Sequence, residues 1–204
     1  MKLIGNGAEA ELYLNPKDSS VVKRRVKKGY RISEIDNALR KQRTRREAKI
    51  LDKIGELGPG FVEVDDGNKE VLMNYLEGPM IKDVLDKKNK IERNKIMKLI
   101  GNSIAKLHAL NVIHGDLTTS NMILVNEQVK LIDFGLSFVT DKIEHKAVDI
   151  HLLKHALESK HYQHFESLFE SFLEGYKENP EFNEVMKRFE IVEKRGRYKR
   201  RLGS

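Results

Sequence analysis

The sequence contains no cysteine and no tryptophan among its 204 residues. Without thiols it can build neither a disulfide framework nor a thiolate metal site, which fits a reducing compartment. It also lacks any apolar run near the roughly 20 residues that a membrane-spanning helix needs. Met1-Lys2-Leu3-Ile4 leads straight into glycines, not into the apolar stretch of a signal peptide. The expectation is a cytoplasmic protein with no membrane partner. Acid is in short supply: 38 Lys and Arg face 31 Asp and Glu, a net charge of +7. That balance leans towards polyanionic partners such as nucleic acid. Proline is scarce, at four residues, and each one falls at a break between patterned segments.

What is present is organised around His114 to Gly135. A polar loop, His114-Gly115-Asp116-Leu117-Thr118-Thr119-Ser120-Asn121, precedes an apolar strand, Met122 to Val125. A turn at Asn126-Glu127 and a second strand then run into Asp133-Phe134-Gly135. A tight hairpin would return Asp133 to the loop that carries Asp116 and Asn121. Two carboxylates and an amide oxygen would then share one small volume, and hard oxygen ligands of that kind suit magnesium. An Asp and an Asn that merely cap turns are the plainer alternative.

Upstream, residues 3–14 read as strand, glycine turn and strand. In the turn Gly5-Asn6-Gly7-Ala8-Glu9-Ala10, glycine would let backbone amides approach phosphate oxygens, though a plain hairpin turn explains it equally well. Lys23 ends the apolar run Val21-Val22 and reads either as a phosphate-binding lysine or as a solvated lysine on an edge strand. A long helix is expected from Ile32, with Ile35, Leu39, Ile50, Leu51 and Ile54 near helical spacing. Glu47, towards its apolar end, is a better partner for Lys23 than Glu34. Phe61–Val64 and Glu70–Tyr75 predict a hairpin about Asp66-Gly67. Ile96 to Leu110 predicts an amphipathic helix leading to the catalytic loop, with His108 packed on it. Further helices are expected over Ala147–Leu157 and Phe165–Tyr176, and after Pro180. His145, His151, His155, His161 and His164 cluster by sequence. His151 and His155 stand at i, i+4, but no Glu lies between them in the metalloprotease pattern, so zinc is weakly signalled.

The loop, the Asp-Phe-Gly and the segments before them resemble the protein-kinase-like superfamily. More narrowly, the chain is similar to the small atypical kinases of the PRPK type, relatives of the RIO kinases associated with the KEOPS complex. Gly7-Ala8-Glu9-Ala10, the helix with Leu39-Arg40, Arg43-Thr44 and Glu47-Ala48, the loop from His114 to Asn121, and Arg195-Gly196-Arg197 carry that resemblance. It implies a bilobal α+β fold. Residues 1–76 would form an N-lobe with a small antiparallel sheet and one long helix, residues 77–193 a mostly helical C-lobe, and 194–204 a basic tail. It implies ATP and magnesium as cofactors and Asp116 as the base that orients the substrate hydroxyl. Asn121 and Asp133 become metal ligands, and Lys23, fixed by Glu47, a phosphate ligand. The backbone of Gly5, Asn6, Gly7, Ala8, Glu9 and Ala10 would cover the phosphates. Met73, Asn74, Tyr75 and Leu76 would border the adenine, and Asp149 would tie down the catalytic loop from a helix behind it.

The family implies phosphorylation of serine or threonine and ATP-dependent support of threonylcarbamoyladenosine formation in tRNA, carried out with a partner subunit. Departures from ordinary protein kinases are visible. Gly115 stands where an arginine reads a phosphorylated activation loop, Thr118 replaces a common lysine, and no Ala-Pro-Glu follows Gly135. Alternatives are a small-molecule kinase of the aminoglycoside or choline type and a non-catalytic nucleic-acid scaffold. Lys23, Arg24, Arg25, Lys27, Lys28, Arg31, Arg40, Lys41, Arg43, Arg45 and Arg46 form a one-sided basic run opposed only by Glu34 and Asp36. That run fits nucleic acid or an acidic protein. The tail Lys194-Arg195-Gly196-Arg197-Tyr198-Lys199-Arg200-Arg201 reads as disordered by itself and able to engage tRNA phosphates.

Overall fold

The computed structural model describes residues 1–7 and 9–202, with residues 196–202 described by backbone alone. Ala8 of the glycine turn, Gly203 and Ser204 lie outside the described residues. The chain divides into two compact units: Met1–Glu77 with Ile132–Ser137, and Gly78–Leu131 with the chain from Phe138 on.

The first unit is a five-stranded antiparallel sheet and one long helix. Its strands are β1 (Lys2–Asn6), β2 (Ala10–Asn15), β3 (Ser20–Arg25), β4 (Phe61–Asp65) and β5 (Glu70–Asn74), and its helix is α1 (Ser33–Ile54). The sheet order is β1-β2-β3-β5-β4. Lys23 is therefore on the central strand, opposite Leu12 on one side and Val71 on the other. This settles against an edge strand: Val21, Val22 and Lys23 are all buried. The β4–β5 turn is closed by Asp65, whose Oδ1 accepts from the Gly67 and Asn68 amides.

Helix α1 buries Thr44, Glu47, Ala48 and Leu51, along with Ile50 and Ile54, a 3.6-residue stripe that turns Glu47 inward. The expected apolar start of this helix is corrected: Ile35 is exposed and Asp36 is buried. Asp36 is the better-satisfied residue there, since its carboxylate accepts from Arg40 Nε at 2.7 Å and from the Lys28 amide at 3.3 Å. The Phe134–Leu136 turn packs on α1, with Phe134 fully buried.

The second unit is mostly helical. It contains α2 (Ile81–Val84), α3 (Lys90–Ala109), α4 (Ile143–Lys160), α5 (Phe165–Tyr176) and α6 (Phe182–Leu202). Two short hairpin-like pairs complete it: β6 (Val112–Ile113) with β9 (Phe138–Val139), and β7 (Met122–Val125) with β8 (Gln128–Leu131). Helix α3 starts at a capping box, Asn89 with Glu92. Helices α3 and α5 meet at glycines: a Cβ on Gly101 would lie 2.1 Å from the Phe172 carbonyl oxygen. Small residues are what allow this backbone-to-backbone approach. The β7–β8 turn uses Asn126 and Glu127, both at positive φ, as a two-residue hairpin requires. Helix α6 runs on to Leu202, so the chain from Lys194 is not without regular structure as its charge implied. Lys and Arg are good helix formers, and Arg195 reaches Glu144 on α4 at 2.9 Å.

No helix of the described residues is long and apolar enough to cross a membrane.

Candidate active site

In the first unit, the central strand presents Lys23 and Arg25 on one face, two residues apart. Lys23 Nζ lies 2.6 Å from Glu47 Oε1 and 2.7 Å from Asp133 Oδ1. Arg25 takes the other oxygen of the same glutamate, at 2.6 Å. Burial by itself would lower the Lys23 pKa, but Glu47 and then Asp133 outweigh it, and the ammonium is held above the ordinary lysine range. Asp133 has left-handed backbone (φ 63°) and a half-exposed side chain. Glu34 stands a helix length from this cluster, in the first turn of α1. Arg25 was missed at the sequence level. Its only signal was the i, i+2 spacing from Lys23, which puts both on one face of a strand.

The glycine turn closes β1 on β2, with the Gly7 amide donating to the Ala10 carbonyl at 3.0 Å. Gly5 pairs with Leu12 and Asn6 with Glu11, while Glu9 binds Arg43 of α1 at 2.7 Å. Met73 is buried on β5 opposite Val21 and Phe61. The Asn74 and Tyr75 amides are spent inside the unit, on the Gly60 and Ser19 carbonyls. Leu76 is the next residue along, past the sheet's hydrogen-bonded edge.

In the second unit, the loop after β6 is tied down from behind. Asp149 of α4 is fully buried and accepts from the His114 amide at 2.7 Å and the Gly115 amide at 2.9 Å. His108 stands 3.3 Å from Asp149 through Nε2 and 2.8 Å from the Tyr176 hydroxyl through Nδ1. Burial pushes the Tyr176 hydroxyl far above the ordinary tyrosine range, with Glu181 and Asp149 adding to it, so it stays protonated. Gly115 has φ +80°, where a side chain would be strained. Leu117 is buried, and Thr119 Oγ1 lies 3.0 Å from His161 Nε2, whose Nδ1 lies 2.8 Å from Asp86. The loop is thus fixed at both ends and leaves Asp116 exposed between them. Asn121 donates its amide to the Asp116 carboxylate at 2.9 Å and to the Asp116 carbonyl at 2.8 Å, which leaves its side-chain oxygen as the acceptor. The His161 support carried no sequence signal, since neither its spacing nor its neighbours pointed to the loop.

Much of the basic run of the first unit is paired with acids, most of them from outside the run. Arg24 pairs with Glu70, Arg43 with Glu9 and Arg45 with Asp66, while Arg31 and Arg40 share Asp36.

The first unit has a buried lysine–glutamate pair beside an Asp-Phe-Gly, and the second has an exposed Asp on an anchored loop five residues before an Asn; each is a feature that protein kinases use. The chain matches the protein kinase domain over residues 1–172. It is 46% identical to the KEOPS complex subunit Bud32 of Pyrococcus abyssi, covering 98% of each chain. The chain belongs to the Bud32 branch of the protein kinase family. A probable serine/threonine-protein kinase BUD32 homolog of Archaeoglobus fulgidus is 36% identical over 96% of both chains. A probable bifunctional tRNA threonylcarbamoyladenosine biosynthesis protein of Methanococcus maripaludis is 41% identical over 96% of this chain but only 36% of its own length. This Bud32-type chain is thus an atypical protein kinase. It keeps the antiparallel sheet and helical unit of the kinase fold and lacks the Ala-Pro-Glu that ordinary kinases carry after Gly135.

Proposed function

We propose that this chain is a cytoplasmic, ATP- and magnesium-dependent serine/threonine phosphotransferase and ATPase. It would work with a KEOPS-type partner that carries out tRNA threonylcarbamoylation. The observation that carries the reading is the buried Lys23 ammonium held by Glu47 and Asp133. A buried ammonium held by a helix glutamate beside an Asp-Phe-Gly supports the phosphate-binding role that this lysine has in protein kinases. Its partner Asp133 is half exposed, and Asn121 meets Asp116 through its nitrogen rather than its oxygen, so each has a hard oxygen donor to offer a cation. A bound magnesium would supply charge neutralisation on the phosphates.

Each residue then has a role. Lys23 binds phosphate, and Glu47 fixes the lysine. The Gly5–Gly7 and Glu9–Ala10 backbone lies over the phosphates. Leu76 offers its amide to the base, beyond the amides of Asn74 and Tyr75 that the sheet consumes. Asp116 orients the hydroxyl and accepts its proton. Positioning and charge neutralisation suffice for this chemistry. Names of relatives support the tRNA context: one is a KEOPS complex subunit and another a tRNA threonylcarbamoyladenosine biosynthesis protein. In the tRNA-bound complex the basic tail and the basic run would meet phosphates.

The test is incubation of the full chain with labelled ATP and magnesium, with and without tRNA and partner, followed by phosphate release and mass spectrometry. Turnover should require the metal and fall by at least about 100-fold in Asp133→Ala, since a missing metal ligand removes several kcal/mol of transition-state stabilisation. Asp116→Ala should abolish turnover and leave ATP affinity nearly intact, because a group that acts on the nucleophile contributes chiefly in the transition state. Undiminished turnover in Asp133→Ala ends the metal role, and ATP affinity that disappears together with turnover in Asp116→Ala makes that residue structural. Removal of the chain from Lys194 on should flatten the salt dependence of tRNA binding, by about 1 in log–log slope for every phosphate that the tail neutralises.

A further inference from the structure

Helices α4 and α6 carry a side-chain cluster that phosphoryl transfer does not use. His151 and His155 lie one turn apart on α4, with ring centroids 4.2 Å apart and planes at 90°. Glu193 reaches them from α6, and one ligand atom from each of the three residues lies within 4.8 Å of the others. The sequence showed the histidine pair and no third ligand, because Glu193 stands some forty residues away and is brought in only by the packing of α6 on α4.

The surroundings match those of a ligand set. His151 Nδ1 faces Glu193 Oε1, and the other carboxylate oxygen is engaged by the Lys154 ammonium. His155 Nδ1 is 2.7 Å from Glu158 Oε2, so a carboxylate orients that imidazole. Histidines oriented by carboxylates, and ligating carboxylates hydrogen-bonded through their second oxygen, are the usual outer support of metal sites. All three residues are half-buried, and an open cleft lined by Lys154, His155, Glu158, Phe189, Glu190, Glu193 and Lys194 adjoins them. It leaves room for a water to complete four-coordination.

The donor set selects the ion. Two imidazole nitrogens and one carboxylate oxygen suit zinc and neighbouring transition metals, whereas magnesium and calcium take all-oxygen sites. The Lys154 and Lys194 charges work against a cation, and Glu158, 3.9 Å from the Lys154 ammonium, and Glu190 offset them. We propose that His151, His155 and Glu193 form a transition-metal site, for zinc or a cation of like preference, that staples α6 to α4. Asp149, which holds the loop bearing Asp116, stands two residues before His151 on the same helix. The staple therefore fixes α6 on the helix that supports that loop. The site is independent of the proposed phosphotransfer chemistry.

The test uses the full chain, free of affinity tag, stripped of metal and without nucleotide. Zinc chloride is titrated by calorimetry in millimolar magnesium, which occupies hard oxygen sites. The expected result is saturable binding of a single zinc at micromolar or lower Kd, with a rise in melting temperature of several degrees. His155→Ala and Glu193→Gln should each weaken binding at least tenfold, while His145→Ala leaves it unchanged. Cobalt(II) added to the unaltered chain should give the intense visible absorption of a tetrahedral site, a readout that needs no variant to fold. Absence of saturable zinc binding, a cobalt spectrum like that of the hydrated ion, or affinity unchanged in both His155→Ala and Glu193→Gln would overturn the assignment.

Discussion

Replacing Asp149 should damage this kinase more than replacing any exposed carboxylate. The side chain is fully buried and accepts two backbone amides, from His114 and Gly115, with His108 Nε2 alongside. A hydrogen bond to a charged acceptor contributes about 1.5–3 kcal/mol, and a buried donor left unpaired costs a similar amount. Asp149→Ala takes the acceptor from two amides, so stability should fall by about 3–6 kcal/mol. Domains of this size hold only about 5–15 kcal/mol in total. The variant should therefore unfold at markedly lower urea, with turnover falling further than stability explains, because the loop that carries Asp116 loses its anchor. Asp149→Asn keeps one acceptor oxygen and should fall between the two. Urea titration followed by circular dichroism, beside an ATP-turnover assay on the still-folded fraction, reads both quantities. An Asp149→Ala chain within about 0.5 kcal/mol of the unaltered protein, the range of ordinary surface substitutions, would refute the anchor.

Two further outcomes follow from the packing and the charges. Gly101→Ala places a methyl 2.1 Å from the Phe172 carbonyl oxygen, a backbone atom that cannot swing away, so α3 and α5 must separate; a loss of about 1–3 kcal/mol in urea titration is expected. Burial would raise the Asp36 pKa, but Arg40, the Lys28 amide and Arg31 outweigh it and hold the carboxyl below its usual range. A folded pKa below the unfolded value of about 3.9 gives stability that is present above that pH and disappears as pH falls through the folded value. Asp36→Asn should then lower the melting temperature at about pH 7 and flatten its decline towards about pH 3.

The parts that were legible in the sequence are those where the signal is local. Val21-Val22-Lys23, the 3.6-residue stripe through Glu47, and the hairpin from Met122 to Leu131 each announce themselves within a few residues. Charge runs did not read so well. A window from Lys23 to Arg46 sees cations and almost no acid, whereas Glu9, Glu70 and Asp66 meet those cations from elsewhere in the unit. Ile35 and Asp36 exchanged their expected places for the same reason: apolar spacing ranks Ile35 inward, but Arg31, Arg40 and the Lys28 amide arrive from three directions to satisfy Asp36. Nothing in the sequence around Asp149 separates an anchor from a solvated helix carboxylate, and the two amides that donate to it decide the matter.

The pair of cations on β3 shows how far such partners matter. Sequence reasoning sees one lysine for one glutamate. The fold supplies Lys23 to one oxygen of Glu47 and Arg25 to the other, so neither oxygen of a buried carboxylate is left without a cation. Asp133 supplies the second negative charge, and the cluster of two cations and two carboxylates is balanced. That balance is what makes burial tolerable, since a single buried charge without a partner costs about 3–5 kcal/mol. It also separates two jobs that one lysine would otherwise share. Were phosphates to draw on Lys23, Arg25 would still hold Glu47, and through it α1, against the sheet. The tie between helix and sheet is therefore built from two residues of one strand.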